Sequence, residues 1–371
     1  MGRIKGSYNA VWHWMVAQKY LLIVLLFTPL CANAKPDTTA HNSSLYASVS
    51  AGKVIAHHTI LSSLNNGITL GTEISYKSTL KQHDNLAKYW GLHLNASRYG
   101  NANLGYSISI TPIVTAPILS AKRTKVFLSV GSGIGLVTKR YNPISNPTNY
   151  SFSTPINIAA KVELETNVQI SPRRIAFVKV VAHHISNGNT KKPNYGLNSI
   201  SLAAGVQLGS PWPNAPVKEA RLNFPSQGQF SITASAGYRE AGDYGGKRYA
   251  VGSVKLSYKL LQWENNGLLT GTDLMLDKAS LFHLERDGTS HSGNIDAFKL
   301  GLNAGIEKQI NRISLSASCG VYVHRKDTTG GFLYQHIAIN YWITRYLATQ
   351  LSLKTHWTTA DYLELGLRVR I

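Results

Sequence analysis

The segment that ends the chain reads Leu363, Leu365, Leu367, Val369 and Ile371 on one parity, with Glu364, Gly366, Arg368 and Arg370 on the other. On a helix, which repeats about every 3.6 residues, such alternation scatters the apolar residues around the axis; on a strand it gathers them on one face. The pattern recurs, for example at Val254, Leu256, Tyr258 and Leu260 against Ser253, Lys255, Ser257 and Lys259. It predicts strands near 45–53, 67–77, 88–98, 103–115, 124–138, 155–168, 174–186 and 198–208. A second series follows near 228–238, 248–260, 266–276, 295–309, 312–324, 333–343, 348–357 and 361–371. Past the first 34 residues no segment approaches a transmembrane helix. An all-β fold, an antiparallel transmembrane β-barrel, satisfies the pattern, because closure pairs every backbone group in a medium without water. A soluble β-sandwich is the alternative.

Residues 1–34 carry Arg3, Lys5 and Lys19 with no acid, then an apolar run from Tyr20 to Leu30, then Ala32, Asn33 and Ala34. These features predict a secretory signal peptide cleaved before Lys35. Of the two cysteines, Cys31 lies in that leader, so Cys319 alone remains and no disulfide within the processed chain is possible. The formal charge of +20 calls for an anionic partner. With an export signal and no nucleic-acid motif, nucleic acid is discounted and phosphorylated lipid is the better match.

Two halves of about eight strands each flank a Pro-rich connection at 210–227. The first spans 45–209 and the second 228–371, and the two echo each other: the segment from Val180 to Ser186 corresponds to that from Leu351 to Thr358. Sixteen strands could close as one barrel or as two eight-stranded units.

One hairpin carries chemistry. In the strand ending at Ser186, His184 and Ser186 share a face with the apolar Ala176, Val178, Val180 and Ala182; Asn198 begins a similar stripe continued by Ile200, Leu202 and Ala204. A loop symmetric about Lys192 would set Asn198 opposite Ser186. Three polar groups on an apolar face are a cost unless they meet one another, water or a substrate. A serine hydroxyl becomes a nucleophile when an imidazole takes its proton, and the imidazole works best when a third group holds its tautomer. Ser186, His184 and Asn198 fit those roles.

The longer motif His184-Ile185-Ser186-Asn187-Gly188, followed by Lys192-Pro193-Asn194-Tyr195-Gly196-Leu197, resembles the lipid A 3-O-deacylase family of outer-membrane barrels, also called acyloxyacyl hydrolases. The likeness is strongest over 45–209 and weaker over 228–371. It implies an outer-membrane carboxylic ester hydrolase of a Gram-negative bacterium that removes an ester-linked acyl chain from lipid A. His184 would be the base and Ser186 the nucleophile, with Asn187 and Gly188 at the oxyanion and Lys191 and Lys192 near the phosphates of lipopolysaccharide. No cofactor is expected. Where the family has a glutamate twelve residues after the serine, this chain has Asn198; outer-membrane phospholipase A looks similar there, with an asparagine. A phospholipase-like acyl hydrolase and a non-catalytic barrel therefore remain alternatives. Nothing in the sequence clearly marks a calcium site of the kind the phospholipase alternative would use. The terminal Glu364, Gly366, Val369 and Ile371 resemble the signal read by the barrel-assembly machinery, ending on Ile rather than an aromatic residue. The length resembles an extended, two-half form of the family, which favours one large barrel.

Other clusters point elsewhere. The pairs His57-His58 and His183-His184, read as strand neighbours, would face opposite ways and fail to converge on a metal. His356, Thr358, Asp361 and Glu364 look like a modified second copy of the site with a structural role. Glu163 and Glu165 fall on the lumen parity. Gly131, Gly133 and Gly135 suggest close strand packing rather than a phosphate loop.

Overall fold

A computed structural model describes residues 43–79, 89–121, 123–171, 174–208, 229–242, 244–263, 265–310, 312–357 and 359–371. The leader at 1–34, the connection at 210–227 and Thr358 lie outside the described residues.

The first eight strands are β1 (Ser43–Ile55), β2 (Ile68–Thr79), β3 (Tyr89–Arg98), β4 (Tyr106–Ser120), β5 (Thr124–Val137), β6 (Ile156–Ser171), β7 (Arg174–Ser186) and β8 (Leu197–Leu208). The second eight are β9 (Phe230–Glu240), β10 (Arg248–Trp263), β11 (Asn266–Asp277), β12 (Phe298–Ile310), β13 (Ile313–His324), β14 (Leu333–Trp342), β15 (Leu347–His356) and β16 (Thr359–Arg370). Within each set of eight, each strand pairs antiparallel with the next. The expectation of one large barrel is overturned, because β8 returns to β1, with Val206 opposite Ala47, and β16 returns to β9, with Leu367 opposite Ala234. The described residues form two closed eight-stranded barrels. Alternation is a local property and carries no information on which distant edge a strand closes against.

The outward parity is apolar, as the sequence requires: Val178, Val180, Leu202, Leu365 and Leu367 are all exposed on the barrel exteriors. The inward parity carries charge. In the first barrel Lys77 reaches Glu165 at 2.7 Å and Lys179 lies 3.0 Å from Glu163, while Lys161 pairs with Glu73. Glu163 and Glu165 are thus lumen residues. Three carboxylates meeting three ammonium groups leave the buried interior charge-compensated, which a low-dielectric plug demands. Close strand approach explains two glycines of β5: a Cβ at Gly133 would lie 2.0 Å from the Ile110 carbonyl and one at Gly131 2.2 Å from that of Pro112.

The sequence reading left out three elements. A 3₁₀ turn at Thr59–Leu64 follows β1, and the helix α1 (Ala279–Arg286) and a second 3₁₀ turn at Asn294–Ala297 lie in the long β11–β12 connection. In the β13–β14 loop, burial alone would raise the Asp327 carboxyl, but the His283 ring of α1, 3.2 Å away, and Lys299 hold it well below the usual carboxylate range.

Candidate active site

The ends of β7 and β8 are anchored from inside. Ile185 and Leu197 point into an apolar cluster that closes the first lumen, with Val54, Leu61, Leu64, Leu104 and Phe152. Burying each such side chain contributes about 1.5–3 kcal/mol. Because neighbours on a strand alternate, seating Ile185 inward turns His184 and Ser186 outward, and seating Leu197 inward turns Asn198 outward. The three polar groups therefore stand on the exterior, at the rim of the apolar belt.

They form a chain of contacts. His184 Nδ1 lies 2.6 Å from Asn198 Oδ1, and His184 Nε2 lies 2.9 Å from Ser186 Oγ. An amide oxygen only accepts, so Nδ1 carries the proton and Nε2 receives the serine hydroxyl. The register differs from the symmetric loop expected: Asn198 pairs with His184, not with Ser186. The loop is displaced because Gly196, at φ +76°, passes over the imidazole, where a Cβ would lie 2.6 Å from His184 Cε1. A direct cross-strand neighbour is better placed to hold the ring than a diagonal one.

The loop from 187 to 196 is held on two sides. Towards the first barrel, Tyr195 N–H donates to the Tyr150 carbonyl at 3.1 Å and Gly196 N–H to that of Ser151 at 2.8 Å. Towards the second barrel, the Asn189 amide donates to the Asp361 carbonyl at 3.1 Å and Lys192 Nζ to that of Gly242 at 3.2 Å. Tyr195 and Tyr244 share a contact between hydroxyls at 3.3 Å, and the Tyr244 ring packs on Tyr141 and Tyr150. A Cβ at Gly188, which has φ +61°, would lie 2.3 Å from Leu363 Cγ on β16. Only glycine meets both the backbone angle and that approach.

Of the predicted site residues, Asn187 turns its donors into the loop. Its N–H meets Asn194 Oδ1 at 2.9 Å and its side-chain amide meets the Lys191 carbonyl at 2.8 Å. The N–H of Gly188 has no acceptor among the described residues. Lys191 is half-buried, and Lys192 is directed at the second barrel as above.

His57 was not singled out for this site by the sequence, having been read as a strand residue with His58. The structure places both in the bend after β1, with His57 Nδ1 3.0 Å from Asn198 Nδ2. Nothing in the spacing could have signalled this, since the two residues stand 141 positions apart. Glu73, His93 and Glu163 come close enough to suggest a metal cluster in the first lumen. Lys161 and Lys179 already neutralise those carboxylates, which leaves the donor set poorly suited to a cation. His356 stands on the lumen side of the second barrel, 3.0 Å from the Tyr322 hydroxyl and 3.5 Å from Asp361.

Two family models match the chain. The lipid A 3-O-deacylase (PagL) model matches residues 66–207, and the acyloxyacyl hydrolase C-terminal domain model matches residues 228–371. Among solved structures, the outer membrane enzyme PagL is 18% identical, covering 43% of this chain and 97% of that one with a TM-score of 0.33. Neisserial surface protein A is 12% identical over 45% of this chain and 97% of its own, also at 0.33. A Rhodopseudomonas blastica porin variant is 13% identical over 90% of this chain and 100% of its own, at 0.20. No functionally curated protein matches the chain.

Proposed function

The chain belongs to the lipid A 3-O-deacylase (acyloxyacyl hydrolase) family, one family model lying on each barrel, and from that premise we propose that it is an outer-membrane esterase that removes a 3-hydroxyacyl chain from lipid A through Ser186 and His184. The observation that carries this reading is the outward chain from Ser186 Oγ through His184 to Asn198, with contacts of 2.9 and 2.6 Å. A nucleophile on the exterior of a membrane barrel is reached from the lipid phase, so its substrate is a lipid with an ester at the depth of the rim.

Ser186 Oγ attacks the acyl carbonyl carbon while His184 Nε2 takes its proton. The oxyanion forms beside the N–H of Gly188, and Asn187 supports it indirectly by holding the loop closed. As the tetrahedral intermediate collapses, the C–O bond to the sugar breaks and His184 returns the proton to the departing hydroxyl. Water, activated by the same imidazole, then releases the fatty acid from Ser186. Lys191 and Lys192 contribute positive charge on the headgroup side, matched to lipid A phosphates. In this reading the loops face the outer leaflet, where lipopolysaccharide lies, and the C-terminal strand serves barrel assembly.

Asn198 favours a second reading, a phospholipase A-like hydrolase, since an amide there resembles that enzyme. Mass spectrometry of lipid A and phospholipids from Gram-negative outer membranes carrying the protein or its Ser186→Ala variant separates the readings. Loss of one hydroxyacyl group from lipid A with the unaltered protein alone is expected. Lysophospholipid instead would move the substrate class, and no change in either pool would leave a non-catalytic barrel.

A further inference from the structure

We infer that His57 is a positioning residue of the hydrolytic site: it sets the orientation of the Asn198 amide and through it the tautomer of His184. The inference rests on the esterase reading above and adds a fourth member to it.

An asparagine in the third position has a problem that a carboxylate lacks. Its two ends are nearly equal in size, but one accepts and the other donates two protons. With Oδ1 towards His184, the ring keeps its proton on Nδ1 and offers Nε2 to Ser186. With the amide reversed, Nδ2 donates to His184 Nδ1, the ring proton moves to Nε2, and Ser186 faces an N–H that cannot take its proton. The wrong tautomer of such a histidine is catalytically silent.

The structure contains what selects between the two. His57 Nε2 lies 2.8 Å from the carbonyl oxygen of Tyr195. A backbone carbonyl only accepts, so His57 carries its proton on Nε2, and the neutral ring presents a lone pair at Nδ1. That lone pair faces Asn198 at 3.0 Å and requires a donor, which is Nδ2. Asn198 Oδ1 is thereby turned to His184 at 2.6 Å, and the remaining contact, Ser186 to His184 Nε2, runs in the productive sense. Polarity passes in one direction from a fixed backbone acceptor to the nucleophile.

Each end of this relay is held. The Tyr195 carbonyl cannot swing, because the N–H groups of Tyr195 and Gly196 are bonded to Tyr150 and Ser151. His57 precedes the 3₁₀ turn whose Leu61 and Leu64 are buried, and His58 packs edge-on against the Tyr195 ring at 5.1 Å. His57 itself is exposed and touches no reacting atom in this scheme, so its replacement leaves the barrel core alone.

The test uses the full-length protein in detergent micelles with purified lipid A, with kcat and KM followed by mass spectrometry. His57→Phe keeps a ring and removes both nitrogens. It is expected to lower kcat roughly ten- to a hundredfold with KM little changed, by analogy with the loss on removing a partner that orients a metal-bound histidine. In an Asn198→Asp background, where both oxygens accept and no orientation is needed, the same replacement is expected to change kcat less than about threefold. Equal losses in the two backgrounds would make His57 a mere support of the loop, and no loss in either would make the bond a surface contact; each overturns the inference. A second readout does not depend on turnover. In protein labelled with nitrogen-15 histidine, the His184 ring is expected to show its proton on Nδ1 alone, and His57→Phe to give a mixture of tautomers. An unchanged single tautomer in the variant would sink the proposal. If the unaltered protein leaves lipid A intact while the tautomer result holds, the esterase reading fails and the positioning role stands by itself.

Discussion

The first and second barrels have the same strand number and pairing order, yet the histidines near the tops of β7 and β15 face opposite ways. His184 follows Val178, Val180 and Ala182 on the outward parity of β7. His356 follows Gln350, Ser352 and Lys354 on the inward parity of β15. A single residue of parity carries a side chain through the barrel wall. Outside, His184 meets a hydroxyl and an amide beside lipid. Inside, His356 meets Tyr322 and Asp361 within a buried ionic network in which Lys354 pairs with Asp361 at 2.5 Å and Arg239 lies 3.0 Å from Asp277. The loops differ in the same sense. The β7–β8 loop is long and carries the motif, whereas β15 and β16 meet almost directly, leaving Leu363, the Asp361 carbonyl and the β9–β10 loop as a seat for it. The second barrel thus supplies contacts on which the β7–β8 loop rests.

The comparison breaks most visibly at the histidines. His184→Ala is expected to lower deacylation by roughly ten thousandfold, as loss of a triad base does, while His356→Ala stays within about threefold. Product mass spectrometry on the two variants checks this, and a large loss at His356 would mean that the second barrel is more than a support. Next come the two charged interiors. Lys161→Ala leaves Lys179 alone against Glu73 and Glu163 in the first lumen, and Lys299→Ala leaves Asp277 to Arg239 and Asp327 to His283 in the second; with that partial compensation each is expected to cost about 3 kcal/mol, read as a lower temperature for the heat-induced mobility shift on electrophoresis. Unequal shifts would show that one barrel depends on its plug more than the other.

The seat itself is tested by Gly188→Ala. The left-handed backbone and the Leu363 contact are expected to cost about 1–3 kcal/mol locally and to lower kcat about tenfold or more. Adding Leu363→Ala removes the clash but not the backbone strain, so partial recovery is expected. Full recovery would assign the whole effect to the second barrel. The smallest effect is expected at Tyr244→Ala, which removes the second barrel's ring from Tyr141, Tyr150 and Tyr195: about two- to fivefold in activity, with stability nearly unchanged.

Much of this was written in local pattern. Strand β7 runs over 174–186 as its alternation predicts, and the outward placement of His184, Ser186 and Asn198 follows from counting by two from Val178 and Ile200. The lumen position of Glu163 and Glu165 follows in the same way. The cross-strand partner of Asn198 did not follow, because a ten-residue loop can close with more than one offset and the approach of Gly196 to the imidazole selects it. The part played by His57 was likewise hidden: the local reading placed it on a strand, where the chain in fact bends into a 3₁₀ turn.

By itself, then, the sequence determined which side chains face lipid and which face the lumen, and with them the outward histidine and serine, because side-chain direction on a strand is set by parity over a few residues. Only the tertiary structure decided that β8 closes on β1 to make two barrels, that the site loop rests on the second of them, and that His57 stands behind Asn198. Those are contacts between residues 49 to more than a hundred positions apart, such as Tyr195 with Tyr244, and no local period encodes the edge or loop against which a distant segment comes to rest.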